Sequence, residues 1–348
     1  METTSARSVA FPDPGILAKR FDAFLEQRGI DRQAVLGEAA DQGLGTPALA
    51  VAAGSVLAGF GNHRSDLDLL VLVENDRLTR FPIQSHEHGM LIDISVRRAS
   101  EVRDSAAGLR AEPWPRSATV TEAGWNHRRR VINTVSRLAL GLPLIATPPW
   151  DGWLAGLRGA WLADAVEQWF AVEAHRRAQA ARWLLDARPM AAAVRAREAV
   201  VAALNARAAA GGELYCTDKW VGEKLKLLGD TEGLAVLRDV LEPPLTPHDR
   251  VPHCLDFVDR TVGTAEPLHA VLRWAIGVGT TPLDDRTVVD RWQLRALETF
   301  RRDLPPQDSD AVIWSGPAGS DPPDDVLPLF VHDMVWLGLA HPEPEVSA

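Results

Sequence analysis

The sequence predicts an α/β (α+β) fold, with a small strand-containing domain followed by a mostly helical one. Three observations carry that expectation. Short apolar runs of strand length crowd together at Ala48 to Ala53, Leu69 to Val73 and Met90 to Val96. From about residue 122 onward, apolar residues recur mainly at helical spacing. The length of 348 residues, 46% of them hydrophobic, suffices for two cores.

Taken in order, residues 1–14 read as a loose leader. Ile16, Leu17, Phe21, Phe24 and Leu25 predict an amphipathic helix over 15–28 that Gly29 closes, and a second short helix spans 31–42. The first apolar run ends in the small-residue turn Gly54-Ser55, and Gly59 and Gly61 keep the next turn open. Ser65-Asp66-Leu67-Asp68 leads into the second run, and Asp93 lies inside the third. Thr121 caps a helix over 122–140 with Trp125, Ile132, Val135 and Leu138 on its apolar side. Arg128, Arg129 and Arg130 on that helix read as a solvated face rather than a triphosphate clamp. Thr147-Pro148-Pro149 marks a boundary, giving domains 1–146 and 147–348. Beyond it, Trp153, Leu157, Trp161, Ala165 and Trp169 step by four and read as packing residues. Ala191 to Ala210 forms a helix, Thr217 caps another over 218–228, and further helices are expected over 266–277, 285–302 and 325–339.

Bulk properties narrow the function. A formal net charge of −10 disfavours a nucleic-acid partner, which needs a basic surface. Cys216 and Cys254 stand alone, with neither a disulfide framework nor zinc spacing. No membrane span and no signal peptide is readable, so a cytoplasmic location is expected. There is no P-loop and no G-x-S-x-G serine. Oligomeric state stays open.

The chemistry concentrates in residues 54–93. Alternation along a strand puts Asp66 and Asp68 on one face. Two bare carboxylates at the mouth of a buried strand repel each other and lose hydration, and a hard divalent cation relieves both costs. If the third run is the neighbouring strand, Asp93 joins them at about 4.8 Å strand spacing. The Gly54-Ser55 turn, with its backbone N–H groups and a helix start behind it, suits a phosphate.

The pattern G-S, G, S-D-x-D and a later D resembles the polymerase-beta-type nucleotidyltransferase superfamily, in particular its small-molecule, antibiotic-type members. Residues of about 45–100 carry the resemblance, and the twelve-residue step from Gly54 to Asp66 fits it. It implies a small mixed-sheet domain, with the helical domain covering its cleft. It implies that Asp66, Asp68 and Asp93 are catalytic and bind Mg2+ in a two-metal site. It implies that Gly54, Ser55 and Ser65 bind the nucleotide, together with Lys219 and Tyr215 from the helical part. The co-substrate would be ATP or another nucleoside triphosphate. The acceptor would be a hydroxyl or amine of a small molecule, with Glu167 and Glu173 as candidates for its general base. Alternatives are nucleotidylation of a protein or RNA partner, or a non-catalytic nucleotide sensor or scaffold. Val56 departs from the polar residue that many members carry after G-S.

Overall fold

The computed structural model describes residues 11–343, except 42–43, 63, 79, 87–88, 113, 242–245, 264, 266, 293–294, 300–303, 306 and 308–310, and gives only the backbone of 295–299. Most of the N-terminal leader lies outside the described residues. The chain is a mixed α/β protein of two compact units, each discontinuous in sequence. The first comprises residues 1–111, 130–166 and 208–228; the second comprises 112–129, 167–207 and 229–348.

The first unit begins with α1 (Pro14–Glu26) and α2 (Arg32–Ala40). Asp13 starts α1, accepting from the Gly15 N–H at 2.8 Å, and Pro14 supplies a helical φ in a place where no donor is needed. Then come β1 (Pro47–Ala53), the single turn α3 (Ser55–Ala58), β2 (Leu67–Val73), β3 (Arg80–Ser85), β4 (Ile92–Arg98) and α4 (Ala99–Ala111). After α5 (Glu122–Leu140) the chain adds β5 (Leu142–Ala146) and α6 (Pro148–Leu157).

The strands form one mixed sheet in the order β3-β4-β2-β1-β5. Its core face joins Leu67, Leu69, Val71 and Val73 of β2 and Ile92, Ile94 and Val96 of β4 to Leu17, Phe21, Phe24 and Leu25 of α1. Each such side chain contributes about 1.5–3 kcal/mol by leaving water. Period-2 alternation then sends Asp68 and Asp93 to the opposite face.

The topology decides where the acids meet. β1 runs antiparallel to β2, with Ala53 opposite Asp68, so the chain leaves β1 beside the start of β2. β2 and β4 are parallel and in register, with Asp68 opposite Asp93. One end of the sheet therefore collects the exit of β1 and the entrances of β2 and β4.

The remaining elements are α7 (Ala160–Leu184), α8 (Pro189–Ala210), a 3-10 turn (Asp218–Trp220), α9 (Val221–Leu227), α10 (Thr231–Leu241) and α11 (Pro247–Val262). The four-residue tryptophan stripe is broken between α6 and α7 at Arg158-Gly159, so it belongs to two helices. After residue 268 the chain departs from expectation. In place of helices over 266–277, 285–302 and 325–339 stand β6 (His269–Trp274), β7 (Val278–Leu283), β8 (Arg286–Arg291), β9 (Arg295–Thr299), β10 (Trp314–Pro317), the short α12 (Leu327–Val331) and β11 (Val335–Ala340). They make two three-stranded antiparallel sheets, β10-β6-β11 and β7-β8-β9. For β7 and β8 the physical reason is local: Asp284 adopts φ +50° in the two-residue turn between them, and the β-branched residues beside it favour a hairpin. Among the described residues no helix is long and apolar enough to cross a membrane.

Candidate active site

Gly54 is the hinge of the site. Its φ of +87° belongs to the region that disfavours L side chains, and a Cβ there would overlap Oδ2 of Asp68 and lie 2.8 Å from its Cγ. The backbone of the Gly-Ser turn thus rests directly against the Asp68 carboxylate. Ser55, buried, opens α3, and its carbonyl accepts the Phe60 and Gly61 N–H groups, both at 2.8 Å. Gly61 is held so tightly that a Cβ would lie 2.7 Å from Cα of Val56. Residues 54–61 are therefore a closed backbone loop. At four residues, α3 is too short to build much of a helix dipole, so any anion there would depend on individual N–H groups.

Ser65 and Asp66 lead into β2. The Ser65 hydroxyl accepts the Asn62 N–H at 2.9 Å, which ties down the loop. Asp68 is half-buried and paired with Arg137 of α5, Nη2 to Oδ1 at 2.5 Å. Burial raises the Asp68 pKa; Arg137 opposes this through its charge and a hydrogen bond, while Asp66 and Asp93 push the pKa up further, and the net shift is upward. Asp66 and Asp93 are thus both within electrostatic reach of Asp68. Arg137 was not anticipated from sequence, where the neighbouring Arg128–Arg130 run drew attention. A usable signal existed, since Arg137 interrupts the otherwise buried stretch 134–140 of α5.

The three carboxylates offer the hard oxygen donors that a divalent cation requires. Their side chains do not converge as they stand: among the described residues no group of three or more His, Cys, Asp or Glu is arranged to hold a metal ion. The donor chemistry fits magnesium, and the Arg137 guanidinium supplies the positive charge at Asp68.

Residues 208–228 belong to the same unit as the acids. Tyr215 is buried, its ring centroid 6.0 Å from that of Phe60 in the Gly-Ser loop. Its pKa is pushed up to about 12 by burial, with Arg137 opposing and Asp68, Asp66 and Glu213 reinforcing, so the hydroxyl stays protonated as a donor. Trp220 also stacks on Phe60, with ring centroids 6.0 Å apart at an interplanar angle of 26°. Lys219 is exposed, and its ammonium lies over the Trp220 ring at 4.9 Å. The predicted helix start is also modified: Thr217 caps the 3-10 turn, accepting the Lys219 N–H at 3.4 Å, and the α-helix begins at Val221. Lys224, one turn further on, is the buried lysine of this segment. Its Nζ donates to the Thr217 carbonyl at 3.0 Å, and burial lowers its pKa to about 8.

Glu173, a candidate base, lies in the second unit. It is buried and ion-paired to Arg176 at 3.1 Å and Arg177 at 3.0 Å, and it accepts the Trp125 indole N–H. Burial would raise its pKa, but the two guanidinium charges and these hydrogen bonds outweigh burial and hold it below the usual carboxylate range. A carboxylate so saturated is a weak base, which corrects the expectation for Glu173.

No family model matches the chain, and no curated protein matches it. Among solved structures, it is similar to a nucleotidyltransferase-like protein from Exiguobacterium sibiricum 255-15, with 14% identity over 68% of this chain and 74% of that one, at a TM-score of 0.39.

Proposed function

We propose that this chain is a metal-dependent nucleotidyltransferase that moves a nucleoside monophosphate from a nucleoside triphosphate, ATP by preference, to a hydroxyl or amine of a small-molecule acceptor. The observation that carries the reading is the register of β2 and β4, which sets Asp68 opposite Asp93, with Asp66 in electrostatic reach and the Gly54 turn against Asp68. Clustered acids without enough counter-charge beside a tight Gly-Ser turn suit phosphoryl chemistry.

Asp66, Asp68 and Asp93 would hold magnesium, which when bound neutralises the phosphates and the developing charge on the leaving group. The acceptor oxygen or nitrogen bonds to the α-phosphorus, the bond to the bridging oxygen breaks, and pyrophosphate leaves. The acceptor proton passes to a base, for which Asp93 is the candidate inside the cluster. Ser55 and the adjacent N–H groups would bind the phosphate chain. Tyr215, neutral and in the field of Asp66 and Asp68, would donate a hydrogen bond to the nucleotide. Ser65, and Lys219 with its exposed ammonium over the Trp220 ring, would add further contacts to the nucleotide.

A second reading, a non-catalytic nucleotide-binding protein, is favoured by one observation: Asp68 already has an ion-pair partner in Arg137. Incubation with α-labelled ATP, magnesium and pools of small metabolites, protein and RNA separates the readings. Label on a small molecule supports the proposal, and its loss in Asp66→Asn and Asp68→Asn assigns it to this site. Nucleotide binding with no transfer to any pool would select the second reading.

A further inference from the structure

The guanidinium of the Arg137–Asp68 pair is only partly satisfied. Both side chains are mostly sequestered, 21% and 16% exposed, yet Nε of Arg137 is buried with no hydrogen-bond partner among the described residues. On the same stretch of chain Arg158 shows what a structural guanidinium looks like, donating to the carbonyls of Ala139 at 2.9 Å and Gly141 at 3.2 Å. A buried guanidinium is normally paired through most of its donors.

The surroundings pull each partner away from neutrality. Asp68 has Asp66 and Asp93 beside it. On the other side Arg97 of β4 feels the positive charges of Arg80, Arg137 and Arg130, against the negative charge of Glu101. Arg80 and Arg97 are directly opposite each other across β3 and β4, an unfavourable like-charge pair. Nε of Arg97, Oγ of Ser95 and Oγ of Ser136 are also buried without partners among the described residues. An acidic cluster short of cations thus adjoins a basic cluster short of anions, and Arg137 is the group they share.

We infer that Arg137 is a displaceable counter-ion. It holds Asp68 when no cation is present, competes with the divalent cation for that carboxylate, and once displaced is left among Arg97 and Arg130 to take an oxyanion of the phosphate chain. The inference rests on the metal-dependent reading above and adds to it a reason for cation and phosphate to bind together. Cation entry frees a guanidinium, and the freed guanidinium, among like charges, binds an anion more tightly.

The test uses Mn2+ alone as probe, with the free ion counted by electron paramagnetic resonance, on the full chain without nucleotide. Arg137→Gln is expected to bind Mn2+ about tenfold more tightly than wild type. Arg130→Gln, which removes a charge from the same cluster and helix, controls for long-range electrostatics and is expected to change affinity less than about twofold. The metal-free melting temperature of Arg137→Gln should fall, and saturating Mn2+ should restore more of it than it adds to wild type. If Arg137→Gln does not fold, Arg137→Lys replaces it, with a smaller tightening of the same sign. Wild-type binding of Mn2+ with no tighter binding in the Arg137 variant than in Arg130→Gln overturns the inference and leaves the metal reading standing. No Mn2+ binding by any variant overturns both.

Discussion

Glu173 and Asp68 are both sequestered carboxylates held by arginine, and the fold treats them in opposite ways. Glu173 accepts four N–H groups, from Arg176, Arg177 and Trp125. Asp68 meets Arg137 with Asp66 and Asp93 behind it. Burial works against both charges, yet the first carboxylate ends below its ordinary pKa and the second above it. The lesson is that ion pairing alone does not mark a group as structural. Glu173 is over-compensated and has nothing left to recruit. Asp68 is under-compensated, and a further cation would relieve it.

The largest expected effect breaks the saturated side. Glu173→Ala removes the buried carboxylate that Arg176 and Arg177 share, beside the Trp125 ring that packs with Trp114, Trp169 and Trp336. Removing one partner of a buried ion pair costs about 3–5 kcal/mol, read by urea or thermal unfolding, and magnesium should not change it. A loss below about 1 kcal/mol would erase the contrast.

Next comes pH, with the sign set by the depressed Glu173 pKa. Between the folded value and the unfolded carboxylate value of about 4.3, the unfolded chain binds more protons, so stability rises with pH there. The contribution is complete above that window and is lost as pH falls through the folded pKa. The stability gap between wild type and Glu173→Gln should therefore be full at neutral pH and close in acid. A gap that stays constant down to pH 3 would refute the charge argument.

Gly54 sharpens the other side. Gly29→Ala meets only a positive φ, with nothing within 4 Å of the new Cβ, whereas Gly54→Ala adds overlap with the Asp68 carboxylate. Gly54→Ala should cost about 1–3 kcal/mol more than Gly29→Ala in chemical unfolding. Equal costs would mean that Asp68 moves aside freely.

Much of this contrast was legible before any coordinates. The central strands announced themselves as apolar runs, and Asp66, Asp68 and Asp93 were conspicuous because carboxylates are costly at the mouth of such strands. The edge strands β3 and β5 were not legible, because Pro82 and Pro143 weaken a strand pattern, and proline is tolerated at a sheet edge where no ladder donor is required. The C-terminal strands were misread as helices because short runs such as Ala270 to Ala275 fit either period, and strand pairing distant in sequence, as of β6 with β10 and β11, decides. Glu173 is readable on its helix, but that its i+3 and i+4 arginines both fold back onto one carboxylate is set by burial beside Trp125, which spacing alone does not show. Arg137 was hidden for a different reason: its partner lies 69 positions away in sequence and is brought to it by the packing of α5.

The smallest expected effect decides whether Asp68 is poised or merely buried. Asp68→Asn keeps the shape and an oxygen that can still accept from Arg137. It removes the desolvation of a carboxylate and the repulsion from Asp66 and Asp93, and it also removes the ionic part of the Arg137 contact. The raised pKa means that the first two terms outweigh the third, so the metal-free protein should change by no more than about 1 kcal/mol, toward greater stability. Magnesium should then raise the melting temperature of wild type and leave that of Asp68→Asn unmoved. Glu173→Gln, the same chemical change in the other unit, should instead lose several kcal/mol and keep its response to magnesium. If Asp68→Asn loses as much as Glu173→Gln, Asp68 is a structural ion pair like its counterpart, and the acids at the end of the sheet have no unmet need for a cation.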